Sequence, residues 1–267
     1  MKPSHELETA IRAAKAAGEI QLKHFGKPLE KIMKGPKDFV TKADLESEKA
    51  ILSILQKEFP DYGILSEEKG EIPSDSDYRW IVDPLDGTVW YANGLPSFGV
   101  LITLEKNLET QLGIVFQPAQ SEMLTAQKNR GTELNGQRVR VSERKKIEEA
   151  FLGYHGIRFQ LKHYDSGFRT VLEASHWKTG IFGLQGITYV CKGVLDIFLD
   201  SSMLQKKGVP INRWDIAAKK IVVEEAGGVF SNYRGETELE KMDAPLATNR
   251  ALHQQVIQIL NEKEGLQ

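Results

Sequence analysis

The chain has a single cysteine, Cys191, among its 267 residues, which excludes an intrachain disulfide and a thiolate cluster around a metal. Cys191 sits in a mixed apolar run and reads as a small buried residue rather than a nucleophile. Histidine is sparse as well. His5, His24, His155, His163, His176 and His253 lack the i, i+4 or short-loop spacing of a zinc site. Charge of one sign is missing: 35 Lys and Arg stand against 37 Asp and Glu, a net charge of −2, so neither a nucleic-acid polymer nor a membrane surface is expected as partner. Nowhere do about eighteen apolar residues run together, and Met1 to Glu6 lack the apolar run of a signal peptide. A soluble protein of the reducing cytoplasm is the expectation. The composition, 40% hydrophobic and 27% charged, is ordinary for a globular chain and sufficient for a sizeable core. The length fits one large α/β or α+β unit, or two closely apposed halves.

What is present centres on Trp80-Ile81-Val82-Asp83-Pro84-Leu85-Asp86-Gly87-Thr88. Apolar residues run to Val82 and stop at two carboxylates three apart, with Pro84 fixing one φ between them and Gly87 freeing the backbone directly after. This reads as a buried strand ending in a rigid charged turn. Carboxylates that close raise one another's pKa unless a cation lies between them, and hard oxygen ligands suit Mg²⁺ or Mn²⁺. The following Gly-Thr offers N–H groups and a hydroxyl suited to a phosphate oxygen. Asp-Pro and Asp-Gly are also common turn dipeptides, so a plain surface turn is the alternative.

Along the chain, apolar spacing predicts an amphipathic helix over His5–His24, and Lys31 to Asp38, rich in lysine and broken by Gly-Pro, predicts a mobile loop. A second helix is predicted from Leu45 to Phe59, with Thr41 or Asp44 as its N-cap. Gly63 to Ser66 forms a short strand running into Glu67 and Glu68. Phe98–Leu104, Gly113–Phe116 and Glu122–Ala126 predict an antiparallel meander with turns at Asn107, Pro118 and Asn135-Gly136. Further on come a strand at Phe151–Tyr154 and helices at Phe168–Ala174 and Leu184–Lys192. A strand over Val194–Asp200 and a polar loop over Ser201–Asn212 follow. Trp214-Asp215 then opens a helix to Ala226, ending on Gly227-Gly228. Short strands at Val229-Phe230 and Ala244–Thr248 and a helix at Leu252–Leu260 complete the chain. Strand blocks flanked by helices argue for layered sheets.

Acids thus stand at element ends in four places: Asp44, Glu67 with Glu68, Asp83 with Asp86, and Asp215. With Val40-Thr41-Lys42-Ala43-Asp44, Leu65-Ser66-Glu67-Glu68, the Asp83 to Thr88 stretch, Trp214 to Ala218 and Glu225 to Gly228, in that order, the chain resembles the inositol monophosphatase family of metal-dependent, lithium-sensitive phosphatases over nearly its whole length. The resemblance implies an α+β fold, a layered αβαβα sandwich of the inositol monophosphatase and fructose-1,6-bisphosphatase type. It implies a single phosphatase unit over 1–267, with most ligands in residues 1–145 and Asp215 and a substrate loop in 146–267. A homodimer holding two to three Mg²⁺ ions is implied as well. By position, Glu67, Asp83 and the Leu85 carbonyl would hold a first ion, Asp83, Asp86 and Asp215 a second, and Glu67 a weaker third. Asp44 and Thr88 match the dyad that orients or deprotonates the attacking water, which the first ion activates. Backbone N–H groups of Gly87 and Thr88 would hold the phosphate. Glu68 would support the site, and Lys34 matches the family's mobile-loop lysine.

The departures concern substrate. Val89-Trp90-Tyr91 follows Asp-Gly-Thr where many relatives have Thr-Asn-Phe, and Gly183-Leu184-Gln185 replaces a Gly-Ser/Thr-Ala turn. Asp200 falls where a hydroxyl-binding glutamate is usual, and Ser201 to Arg213 looks longer than usual, with Lys206, Lys207 and Arg213. Implied substrate contacts are Asp86, Gly87, Thr88, Gln185, Asp200 and Asp215. The expected activity is hydrolysis of a small-molecule phosphate ester, inositol monophosphate first. The alternatives are a fructose-1,6-bisphosphatase or a nucleotide 3′,5′-bisphosphate or NADP phosphatase, and, more distantly, a catalytically silent binding protein.

Overall fold

A computed structural model of the chain describes residues 3–35, 38–156, 165–201 and 211–262. Two compact units emerge: Met1–Gln137 with Trp214–Val222, and Arg138–Arg213 with Val223–Gln267. Asp215 therefore belongs to the first unit.

In the first unit, helix α1 (His5–His24) starts where Ser4 accepts the Leu7 N–H, and it buries Leu7 and a row of alanines. Those small side chains let the helix lie close against its neighbours. The lysine-rich stretch expected as a loop is instead a hairpin, β1 (Lys31–Gly35) paired antiparallel with β2 (Asp38–Thr41). Ile32 and Met33 of β1 are both exposed, so the hairpin rests on backbone pairing and leaves no buried alternation for a sequence pattern to show. Helix α2 (Lys42–Glu58) begins three residues before the expected Leu45, because Thr41 and Asp44 together form its N-terminal cap.

The main sheet contains β3 (Gly63–Ser66), β4 (Gly70–Ile72), β5 (Tyr78–Asp86), β6 (Gly99–Lys106), β7 (Glu109–Gln117), β8 (Glu122–Gln127), β9 (Gly131–Leu134) and β10 (Gln137–Arg138), in the order β10-β9-β8-β7-β6-β5-β3-β4. The expected meander of β6, β7 and β8 is found in antiparallel pairs and continues into β9, whereas β3 lies parallel to β5. Side chains alternate across a strand, and β5 shows the consequence. Trp80 and Val82 join Ile102, Ile114, the α1 alanines and Ile51 and Leu55 of α2 in one core. Ile81 and Asp83 point to the other face. Helix α3 (Thr88–Ala92) follows β5 directly.

The second unit holds β11 (Phe151–His155), α4 (Asp165–Ala174), β12 (Trp177–Gly180), α5 (Gly183–Cys191), β13 (Ile197–Asp200), α6 (Arg213–Glu225), β14 (Gly228–Ser231), β15 (Leu246–Asn249) and α7 (His253–Asn261), with α6 contributing Trp214–Val222 to the first unit. Its five-stranded sheet runs β12-β11-β13-β15-β14. Leu152, Ile197, Leu199, Leu246 and Tyr233 form its core with Phe168 of α4 and Val256 of α7. The β12 strand was absent from the sequence reading; its residues are largely exposed and short of apolar side chains. Asp196 is fully buried and accepts the Phe151 N–H at 2.7 Å and the Arg144 Nη1 at 2.7 Å, which ties β11 to the segment before β13. A buried carboxylate so supplied with donors is tolerated. No helix among the described residues is long and apolar enough to cross a membrane.

The first part of α6 packs on the sheet face away from α1 and α2. Gly113 of β7 makes this possible: a Cβ there would lie 2.4 Å from Ile221 Cγ2 and 3.2 Å from Ala218 Cα. Gly113→Val should therefore force α6 outward and destabilise the protein by about 1–3 kcal/mol, as overpacking does. A urea midpoint equal to that of the parent would refute this contact.

Candidate metal centre

The site begins with the end of β5. The strand does not stop at Val82 as expected but continues to Asp86 through an irregularity: Asp83 pairs with Leu101 and Asp86 with Gly99, so three steps on β5 oppose two on β6. In a regular strand, residues three apart face opposite sides. The extra residue of the bulge turns Asp86 to the same side as Asp83. Pro84 gives no N–H to the ladder, and its carbonyl accepts Gln21 Nε2 of α1 at 2.7 Å. Tyr91 of α3 in turn donates to the Gln21 carbonyl at 2.7 Å. Leu85 N–H donates to Asp83 Oδ1 at 3.0 Å, fixing that carboxylate against its own turn.

Gly87 follows with φ +92°, and a Cβ there would lie 2.6 Å from the Ser97 carbonyl oxygen. Only glycine fits both the conformation and the space. Thr88 then opens α3 and donates from Oγ1 to Asp44 Oδ1 at 2.9 Å, with the Leu85 carbonyl at 3.1 Å. The other Asp44 oxygen accepts the Thr41 N–H at 2.9 Å and the Thr41 hydroxyl. Asp44 thus serves as the N3 member of a capping box and as partner of Thr88 at once, one oxygen for each task. Burial raises its pKa against the pull of these donors.

Glu67 and Glu68 leave β3 beside the β5 end, and Glu67 N–H donates to the Val82 carbonyl at 3.1 Å. Lys34 of β1 reaches both acids, with Nζ 3.2 Å from Glu67 Oε1 and 2.9 Å from Glu68 Oε1. Behind them Glu48 of α2 accepts the Glu68 N–H at 3.2 Å and the Lys69 N–H at 3.0 Å. Burial pushes Glu67 up to about 7, with Lys34 opposing and Glu68 adding to the shift. Asp83 is 1% exposed and is raised well above the usual carboxylate range, first by burial and then by Glu67, Asp86 and Asp215. A divalent cation among these acids would offset their repulsion and hold them ionised.

Asp215, in the first turn of α6, completes a trio: one carboxylate oxygen from each of Asp83, Asp86 and Asp215 lies within 4.8 Å of the others. Three hard oxygen donors at that spacing, one of them buried, fit a divalent cation of the Mg²⁺ type. Lys219, one turn further along α6, brings Nζ to 2.6 Å from Asp86 Oδ2 with its side chain 5% exposed.

Of the remaining sequence candidates, Gln185 lies half-buried in the first turn of α5 and Asp200 is buried at the end of β13, both in the second unit. His155 Nδ1 stands 3.4 Å from Asp200 Oδ1. Arg213 forms an ion pair with Glu240, and Lys206 and Lys207 lie outside the described residues.

The family model described as the inositol monophosphatase family matches residues 2–264. The chain belongs to that family. Among its relatives, the Nus factor SuhB of Pseudomonas aeruginosa is 36% identical over 250 residues, covering 88% of each chain. A Thermotoga maritima protein named fructose-1,6-bisphosphatase/inositol-1-monophosphatase is 32% identical over 260 residues, 96% of each. In three dimensions the chain is similar to the extragenic suppressor protein suhB of Bartonella henselae, with a TM-score of 0.86 and 30% identity over 97% of this chain and 99% of that one.

For a member of the inositol monophosphatase family, three contributors in this chain escaped sequence reasoning. Gln21 and Glu48 hold the turn and the Glu68 backbone from α1 and α2. Lys219 carried a signal that went unused: it is four residues after Asp215 in a helix, and so on the same face. The Thr41 hydroxyl is open to direct test. Thr41→Val should cost about 1–2 kcal/mol of stability through loss of the cap, and Thr41→Ser should restore most of it. Equal unfolding midpoints for all three proteins would show that the cap contributes nothing.

Proposed function

We propose that this chain is a Mg²⁺-dependent phosphatase that hydrolyses a small phosphate monoester to an alcohol and inorganic phosphate, with inositol monophosphate as the first substrate to try. The observation that carries this reading is the trio of Asp83 and Asp86 at the end of β5 with Asp215 of α6, gathered within 4.8 Å, together with the Thr88–Asp44 hydrogen bond. Glu67, Asp83 and the Leu85 carbonyl, and Asp83, Asp86 and Asp215, are the two ligand sets we assign. Bound there, the ions supply Lewis-acid polarisation of the phosphate and a water of lowered pKa.

The chain's own residues supply the rest. Thr88 commits its hydroxyl proton to Asp44, so its oxygen lone pairs are left to accept a hydrogen bond from a water and orient it. Asp44 is held for that task by the two Thr41 donors and does not depend on substrate for its position. The backbone after Gly87, kept open by the lack of a Cβ, gives a phosphate oxygen room to approach the start of α3. Lys34 balances Glu67 and Glu68 from the hairpin.

A second reading has two observations in its favour. Lys219 gives the trio a positive partner of its own, and relatives such as the Pseudomonas aeruginosa protein carry the name Nus factor. A chain that acts by binding rather than turnover would then retain its acids without an ion.

Phosphate release separates the two. Inositol monophosphate, fructose 1,6-bisphosphate, adenosine 3′,5′-bisphosphate and NADP should be offered with Mg²⁺ and with chelator. Release is expected only with Mg²⁺ and fastest from inositol monophosphate. Asp86→Asn, which removes one unit of ligand charge, should lower turnover by about 100-fold or more. Turnover within about threefold of the parent would remove Asp86 from the ligand set. No release from any of the four would favour the binding reading.

A further inference from the structure

Lys219 is unlike the other cations near the acids. Lys34 reaches Glu67 and Glu68 from an exposed hairpin, whereas Lys219 is fixed in α6 with its side chain 5% exposed and its Nζ 2.6 Å from Asp86 Oδ2. Its position is set by helix geometry. Asp215 and Lys219 lie four residues apart on one face of α6, so the element that supplies the third carboxylate also delivers a positive charge to the second. The packing of Ala218 and Ile221 on Gly113 holds that part of α6 against β7. A lysine thus held does not swing away freely. Its charge reaches beyond Asp86, since it also favours the ionised form of Asp83.

We propose that Lys219 is a tethered cation competing with a divalent ion for the Asp83, Asp86 and Asp215 trio, so that metal enters this position only as the ammonium gives up Asp86. The inference rests on the metal reading above. Three ionised carboxylates carry −3, and the ammonium leaves −2. An ion arriving at the trio must break a contact at hydrogen-bonding distance and meets a weaker field than the carboxylates alone would present. Two consequences follow from that balance. The trio is stable at low metal concentration, and filling it takes more Mg²⁺ than the ligand set by itself would require. The ion held by Glu67, Asp83 and the Leu85 carbonyl is affected less, because the lysine ammonium is seated on Asp86, which is not among that ion's ligands.

The test is a Mn²⁺ titration followed by electron paramagnetic resonance, which counts bound ions without reference to turnover. Parent, Lys219→Met and Lys219→Arg would be compared at one pH. The parent should show one tighter and one weaker site. In Lys219→Met, close in size and uncharged, the weaker site should tighten at least tenfold, while Lys219→Arg, which keeps the charge, should stay near the parent. Thermal unfolding provides the second reading: Lys219→Met in chelator should melt below the parent and recover more on addition of Mn²⁺. Lys219→Gln replaces Lys219→Met if the latter does not fold. Equal Mn²⁺ affinities in parent and uncharged variant would overturn the competition and leave the metal reading standing. No Mn²⁺ bound by either would overturn the metal reading, and this inference with it.

Discussion

Like charges confined at short range govern this molecule. Asp83, Asp86 and Asp215 bring carboxylate oxygens within 4.8 Å of one another, and Glu67 joins Asp83 from the neighbouring strand. Out of bulk water such a group repels itself strongly, and burial with these neighbours drives Asp83 and Glu67 toward their neutral forms. Cations relieve it. Lys34 and Lys219 are placed at its two sides, one on a hairpin and one on a helix. The hydrogen bonds from Leu85, Thr41 and Thr88 to Asp83 and Asp44 serve the same end with dipoles. A good part of the first unit's polar structure can be read as the answer to that repulsion.

The backbone makes the crowding possible. A regular strand would send Asp83 and Asp86 to opposite faces, and the bulge opposite Leu101 and Gly99 brings them together. Pro84 and Gly87 then act from either end, one by removing an N–H from the ladder and the other by accepting a left-handed φ against the Ser97 carbonyl. Gln21 of α1 clamps the Pro84 carbonyl, so the first helix is coupled to the site through the backbone of the turn. Rigid elements therefore hold every carboxylate of the trio, as a preorganised charge cluster requires.

Family and function are separate questions here. The inositol monophosphatase family model covers nearly the whole chain, yet relatives of similar identity carry names as different as Nus factor and fructose-1,6-bisphosphatase/inositol-1-monophosphatase. A shared fold does not fix the chemistry; the site does. In this chain the site gathers Asp83, Asp86 and Asp215 at the end of β5, with Lys219 set against Asp86.

Much of the fold was legible in the residues. The 3.6-residue spacing of α1 and α2, the alternation of β6 to β8 and the run from Trp80 to Asp86 each bury enough apolar surface to print a pattern. So did the site's composition, because acids placed just after apolar runs have few other uses. Strand β1 of the hairpin and the edge strand β12 left no such trace, since exposed strands joined by backbone pairing place no demand on side-chain order. What the chain alone determined is which residues are acidic, where the backbone is stiffened by Pro84 and loosened by Gly87, and that Thr41 and Asp44 stand at the start of a helix. Only the tertiary structure decided that a bulge turns Asp86 toward Asp83, that Asp44 divides its oxygens between Thr41 and Thr88, and that α6 sets Lys219 against Asp86. Those outcomes depend on contacts between residues up to more than a hundred positions apart, and local periodicity carries no information about them.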